Sequence, residues 1–241
     1  MDLSFILQSV PCWFSVETAQ AVEVQGAARI DVSVAVEPYQ IRLRIWVEDE
    51  EVCVAEPAPE RLPQRCPERH INGDGSFCLG FNVKGLGKSL DGANVWWGLL
   101  KEYLKHQRTA EKTGLWPAHA AISHGGAGEF HVQALDSARE LGVEQEYSRI
   151  FEGERCWIDD GTVRVAKDGG RLVNGRSPCP MGCRGRKNRP ILRRDCCKGV
   201  AVLRLVRSEK YRKLAELQFW RDWQTNGYQC CRTMRKCPMH A

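Results

Sequence analysis

The chain has 241 residues, 43% hydrophobic and 27% charged, with a net charge of +5, which suits one large globular domain or an ordinary domain plus a small module. No apolar run approaches the ~20 residues that a membrane span needs. The apolar start Met1-Asp2-Leu3-Ser4-Phe5-Ile6-Leu7 lacks the basic flank of a signal peptide, so the expected location is cytoplasmic, with no membrane partner.

Charge and cysteine are unevenly spread. Residues 171–241 hold 18 Lys and Arg against 4 Asp and Glu, and the rest of the chain holds 17 against 26. An acidic body with a basic tail predicts two modules and an acidic partner for the second. Of the twelve cysteines, Cys12, Cys53, Cys66, Cys78 and Cys156 stand apart, and the other seven follow residue 178. In a reducing compartment, clustered cysteines point to metal ligands or nucleophiles rather than disulfides.

In chain order, Ser4 to Val10 and Glu17 to Val24 read as short helices. Arg29 to Val36 and Ile41 to Val47 alternate apolar and polar residues, as strands with one wet face do, and predict an antiparallel hairpin. Val52-Cys53-Val54 starts a third strand, and Pro57, Pro59, Pro63 and Pro67 keep the following stretch irregular.

The segment Arg69-His70-Ile71-Asn72-Gly73-Asp74-Gly75-Ser76-Phe77-Cys78-Leu79-Gly80 holds the richest chemistry. A reacting thiol needs access for a carbonyl and a donor for the oxyanion that forms. Asn72 offers the donor, and the Gly73-Asp74-Gly75 turn offers an exposed edge for Cys78. Spacing alone leaves a core cysteine equally open.

The same segment resembles ubiquitin-conjugating enzymes. These carry His-Pro-Asn, a short connection, a turn of the Asp-Gly-Ser type, an apolar residue, and then the catalytic Cys-Leu. His70 and Asn72 match the His and Asn, Asp74-Gly75-Ser76 the turn, Phe77 the apolar residue, and Cys78-Leu79 the catalytic pair. Ile71 stands where the family has proline, and the connection is shorter, so the segment is similar to a divergent bacterial branch. It is also similar to the stand-alone conjugating-like proteins of bacterial anti-phage operons built around a cGAS-like nucleotidyltransferase (CBASS). The resemblance spans residues 28–150. It implies an α+β fold, an antiparallel sheet with flanking helices. It also implies a thioester on Cys78, Asn72 as oxyanion donor or loop organiser, and His70 as a structural residue. The carried group would be the C-terminus of the nucleotidyltransferase or another ubiquitin-like carrier protein, and the effect would be to raise second-messenger synthesis.

Lys84-Gly85-Leu86-Gly87-Lys88 lacks the full spacing of a phosphate loop and reads as a loop bordering the thiol. Asn94 to Gln107 follows as a helix with Trp96, Leu99, Leu100 and Tyr103 on one face. His119, His124 and His131 surround a glycine-rich turn without acidic or cysteine partners at ligand spacing, which favours structural roles. Val132 to Ile150 reads as a second helix, and residues 151–175 as a hairpin, with a turn at Asp159-Asp160-Gly161, and a linker.

In the tail, Cys179 and Cys183 form a knuckle-like pair, followed by Cys196 and Cys197. Zinc takes four tetrahedral S or N ligands, and these four are the candidate set. Adjacent side chains diverge, so one of Cys196 and Cys197 is the better ligand. The segment Gly182 to Cys197 resembles the SEC-C type of small zinc motif. Cys230, Cys231, Cys237 and His240 complete this site, form their own, or do neither. Val200 to Val206 reads as a strand and Ser208 to Trp223 as a helix capped by Ser208, with Leu214, Leu217, Trp220 and Trp223 as a docking face. The expected domains are a conjugating-like domain at 1–150, a hairpin and linker at 151–175 and a basic, cysteine-rich zinc-binding module at 176–241.

The leading functional expectation is a cysteine-dependent transferase. The alternative is a non-catalytic scaffold whose basic zinc module binds an acidic protein surface or nucleic acid. No nucleotide-binding fingerprint for adenylating a carboxylate is present, so the chain either relies on another protein for activation or acts on an already activated bond.

Overall fold

The computed structural model describes residues 1–31 and 37–240. The chain forms two compact units, Met1–Ala120 with Gln229–Ala241, and Ala121–Tyr228. The first boundary therefore falls 30 residues before the expected one at 150, and the chain after Tyr228 returns to the first unit. The reason is packing: the helices that follow Ala120 bury their apolar faces within the second unit.

The first unit is built on an antiparallel sheet of order β1-β2-β3-β4, with β1 at Phe14–Ala19, β2 at Glu23–Ile30, β3 at Tyr39–Glu48 and β4 at Glu51–Ala55. The α+β architecture expected from the sequence is thus present. The helix expected over Glu17 to Val24 is instead the end of β1, a turn and the start of β2. Its Glu, Ala and Gln are good helix formers, but Val24, Ala28 and Ile30 alternate into the core, and tertiary pairing overrides local propensity. Small residues disguise that alternation. At Gly26, a Cβ would lie 2.3 Å from the Ser15 carbonyl oxygen and 2.5 Å from the Phe14 ring, so only glycine lets β1 approach. Of the expected strand Arg29 to Val36, residues 32–36 lie outside the described residues, and Arg29 and Ile30 end β2. β3 and β4 are joined by Asp49 and Glu50, at φ +47° and +64°, a tight hairpin turn.

Helices α1 (Ser4–Gln8) and α2 (Leu90–Thr113) share the core with this sheet. Ser89 Oγ caps α2 by accepting from Gly92 N–H at 3.1 Å, and Gly114 ends it at φ +68°. The Lys84–Lys88 loop is therefore the approach to a helix cap, tied to β4's turn by a Lys88–Glu50 ion pair. Trp96 and Trp97 anchor α2. Their indole N–H groups donate to the Val52 and Ile6 carbonyls at 3.2 and 3.1 Å. Each large indole removed from water contributes about 4–6 kcal/mol of transfer free energy.

The second unit contains α3 (Ala127–Leu141), α4 (Glu144–Arg149) and α5 (Gly199–Thr225). The helix expected over Val132 to Ile150 is broken at Gly142, whose φ of +75° stops α3. Val200 to Val206 is not a strand but the first turns of α5. Its burial runs through Ala201, Val202, Leu205, Val206 and Glu209, a helical period that an apolar run conceals. Ser208 accordingly lies inside the helix, where its hydroxyl donates to Gln133 Oε1 at 3.3 Å. Leu214 and Leu217 are 53% and 56% exposed, whereas Trp220 is buried, so the expected docking face is incomplete. The expected hairpin at 157–165 forms no strand. A turn of Asp159 and Asp160 on the Cys156 carbonyl and a lone bridge between Val165 and Leu172 take its place.

A polar knot holds α3, α4 and α5. The Arg212 guanidinium donates to both Glu209 carboxylate oxygens at 2.6 and 2.7 Å and to Ser123 Oγ at 3.1 Å. Tyr147 OH donates to Glu209 at 3.2 Å. Buried charge is tolerated here because each group is paired and hydrogen-bonded.

Candidate active site

Two nested turns present Cys78. Cys66 and Ile71 exchange both backbone hydrogen bonds, at 3.1 and 3.0 Å, around a turn formed by Pro67, Glu68, Arg69 and His70. Ile71 then bridges to Phe77, enclosing the second turn. The Ile71 N–H donates to the Cys66 carbonyl, a bond that a proline at this position could not make, and its side chain is 1% exposed. Within the second turn, Asp74 Oδ1 accepts from Ser76 N–H at 2.9 Å and from Ser76 Oγ at 2.7 Å. Gly75 completes the reversal at φ +89°.

Cys78 follows directly. Its N–H donates to the His70 carbonyl at 2.8 Å, which fixes the thiol's backbone to the first turn. The side chain is half-buried, and its sulfur accepts from the Gly80 N–H. At Gly80, φ is +132°, and no heavy atom lies within 4 Å of where a Cβ would be, so the backbone two residues after Cys78 borders open space. Burial pushes the Cys78 thiol above its ordinary value. The Gly80 bond opposes that rise, and the Glu51 carboxylate adds to it. At neutral pH the resting group is therefore the thiol.

Asn72 and His70 sit in the same double turn, in different surroundings. Asn72 is exposed, and its amide donates to Ser76 Oγ at 2.9 Å, the geometry of a loop organiser. His70 is 5% exposed in a left-handed backbone conformation at φ +52°. Its ring meets the Trp116 indole edge-on, 4.7 Å between centroids.

The residues that fasten this loop to α2 escaped the sequence reading. Tyr103 OH donates to the Arg69 and His70 carbonyls at 3.1 and 3.2 Å. Gln107 Nε2 donates to the Arg69 carbonyl at 2.6 Å, and its oxygen accepts from Arg69 Nε at 2.8 Å. A signal existed: Trp96, Leu100, Tyr103, Gln107 and Ala110 recur at helical spacing, which puts Gln107 on the buried face. Nothing in the sequence marks Arg69 as 2% exposed.

In the second unit, Cys179, Cys183 and Cys196 gather with their sulfurs within 4.8 Å of one another. The knuckle forms because Cys179 N–H donates to Ile191 at 2.8 Å and Ile191 N–H to Cys183 at 2.9 Å, with Gly182 turning at φ +64°. Cys179 and Cys196 sulfurs lie 3.2 Å apart. Burial raises the Cys179 thiol, but hydrogen bonds from Cys196, the Met181 N–H and Cys183 outweigh it and hold the group below its ordinary value. Cys197 is exposed and outside this group, because adjacent side chains point apart. A cluster of this kind, soft thiols at metal-ligand spacing, is compatible with zinc.

The three histidines take structural positions. His124 pairs with Glu216 and stacks on Phe219. His131 is buried, with Nδ1 accepting from the Ser123 N–H at 3.3 Å. His119 packs its ring on His106.

Residues 13–118 match the family model described as a prokaryotic E2 domain. Residues 123–239 match that of a cysteine-rich domain C-terminal to the E2 domain. The two matches support a bacterial E2-like family. Such a domain suggests a conjugating-enzyme-like transferase, and the loop of His70, Asn72 and Cys78 lies within the matched residues. No curated protein and no solved structure gave a match. Among the described residues, no helix is long and apolar enough to cross a membrane.

Proposed function

We propose that the chain is a cysteine-dependent transferase that carries a protein C-terminus as a thioester on Cys78. The observation that carries this reading is a half-buried thiol at the end of a braced double turn, within residues that match a prokaryotic E2 domain. An activated carboxyl group, supplied as a thioester by another protein, is attacked by Cys78 sulfur. A new C–S bond forms, the old one breaks, and the donor thiol leaves with the proton. An amine then attacks the Cys78 thioester, forming an amide and returning the thiol.

In this reading Asn72 organises the loop and His70 holds it from within, while Cys78 alone makes and breaks bonds. The resemblance to the anti-phage conjugating-like proteins supports a cGAS-like nucleotidyltransferase as carrier or target, with its activity raised by modification. Cys179, Cys183 and Cys196 would hold a structural zinc ion.

The test is a non-reducing gel of the chain with its activating partner and carrier protein. A reductant-sensitive adduct is expected from the parent and none from Cys78→Ala, while Cys78→Lys traps a reductant-resistant amide. Retention of the adduct and of biological activity by Cys78→Ala would overturn the reading. A scaffold that bound nucleic acid through its basic module would instead show a salt-dependent gel shift unaffected by Cys78→Ala.

A further inference from the structure

Cys66 stands alone in the sequence, yet in the structure it does not stand alone. The C-terminal segment returns to the first unit and brings Cys230, Cys231 and Cys237 to it, in one cluster with Ala110 and Met234. Cys66 and Cys237 are 2% and 7% exposed. The Cys66 and Cys231 sulfurs lie 2.9 Å apart, and Cys237 hydrogen-bonds to Cys230. Among the described residues this returning segment forms no helix or strand, and a backbone bond from Arg235 N–H to Gly114 O at 2.8 Å ties it to the end of α2.

We propose that Cys66, Cys230, Cys231 and Cys237 form a second zinc site, contained in the first unit, that clamps the C-terminal segment beneath the Cys78 loop. Three observations carry it. First, polar groups meet the sulfurs: Cys230 accepts from the Arg232 N–H at 3.3 Å, and Cys231 lies 3.1 Å from the Thr233 hydroxyl. Such bonds orient a thiolate and spread its charge, as the partners of a metal-bound ligand do.

Second, the tripeptide Cys-Pro-Met occurs twice, at Cys179-Pro180-Met181 and at Cys237-Pro238-Met239. In each the cysteine carbonyl accepts the N–H three residues on, Gly182 to Cys179 at 3.1 Å and His240 to Cys237 at 2.9 Å. The same turn thus serves the three-cysteine group of the second unit and this one. Third, among the described residues the buried Arg69 guanidinium forms no ion pair with a carboxylate. Among the described residues its hydrogen bonds go to the Gln107 side chain and carbonyl, at 2.8 and 3.3 Å. Its charge acts on Cys231. Buried charges need a counter-charge, and a zinc ion with four thiolates carries about −2.

Binding Zn²⁺ releases the four thiol protons to solvent and forms four Zn–S bonds without any redox step. With Zn–S arms of about 2.3 Å, tetrahedral sulfurs stand about 3.7 Å apart. The Cys66–Cys231 pair would open slightly, and Cys230 and Cys237 would have to close on it, since among the described residues only Cys179, Cys183 and Cys196 already stand within 4.8 Å of one another. Cys66 shares two backbone bonds with Ile71, so the ion would brace the turn from which Cys78 hangs.

The test is elemental analysis of the purified full chain under reducing conditions. Cys66→Ser and Cys237→Ser should each contain one zinc equivalent fewer than the parent, and Cys78→Ser the same amount as the parent. Cobalt loading of the parent should give thiolate-to-metal charge-transfer absorption that falls in both variants. Should Cys66→Ser fail to fold, Cys230→Ser on the half-exposed segment serves with the same expected loss. Unchanged zinc in Cys66→Ser and Cys237→Ser overturns the proposal, as does a Cys66–Cys231 disulfide found in the freshly purified parent by non-reducing mass spectrometry. The Cys78→Ser control keeps this outcome independent of the transferase reading.

Discussion

Replacing Gln107 with leucine removes the main polar link between α2 and the Cys78 loop. Gln107 is 0% exposed and Arg69 2%. The substitution deletes the bond from Arg69 Nε at 2.8 Å and the bond to the Arg69 carbonyl at 2.6 Å. A bond to a charged group contributes about 1.5–3 kcal/mol and a neutral one about 0.5–1.5. The expected loss is therefore about 2–4.5 kcal/mol, against a whole-domain stability on the order of 5–15 kcal/mol. Tyr103 OH also donates to the Arg69 carbonyl, at 3.1 Å. Tyr103→Phe alone leaves that oxygen its Gln107 donor and should cost about 1 kcal/mol. The double variant strips a buried carbonyl of both donors, so its loss should exceed the sum of the two single losses. Urea unfolding followed by tryptophan fluorescence measures all three, and the rate of adduct formation on Cys78 reports the loop itself. A loss below about 1 kcal/mol for Gln107→Leu, or strict additivity in the double variant, would refute this account of how the loop is held.

Three further outcomes follow from the same geometry. Because burial holds Cys78 above its ordinary value, its alkylation by iodoacetamide should be slow at neutral pH and rise with pH past the ~8.5 of a free thiol; a midpoint below that would contradict the buried setting. Burial, with the Arg212 charge behind it, depresses His131 from 6.5 to about 4. The unfolded chain therefore binds the extra proton first, and the second unit should lose about 3 kcal/mol as pH falls from 6.5 to 4, a slope that His131→Gln should flatten. Asp74→Ala removes the acceptor of two Ser76 bonds; adduct formation should slow several-fold while the unfolding midpoint moves little, since the turn is local. A large stability loss with unchanged rate would show that Asp74 braces the domain rather than the loop.

The sequence by itself determined the chemistry of the Cys78 segment, because order along the chain fixes which groups share one turn: His70, Asn72, Asp74, Ser76 and Cys78 are close whatever surrounds them. It also determined the middle of α2, read as Asn94 to Gln107 from its apolar spacing although the helix runs Leu90–Thr113, and the Cys179–Cys183 knuckle, whose turn residues are adjacent. It did not determine the helix at Val200 to Val206, since a solid apolar run has no period of its own until a partner surface selects one. It misplaced the start of the sheet because small residues at Gly26, Ala27 and Ala28 hide the alternation that close strand packing requires. Only the tertiary structure brought Gln107 and Tyr103 under the loop and the C-terminal cysteines to Cys66. Those meetings join residues far apart in the chain, and what selects them is the need to satisfy buried carbonyls and a buried cation, a requirement that exists only once the chain has folded around them.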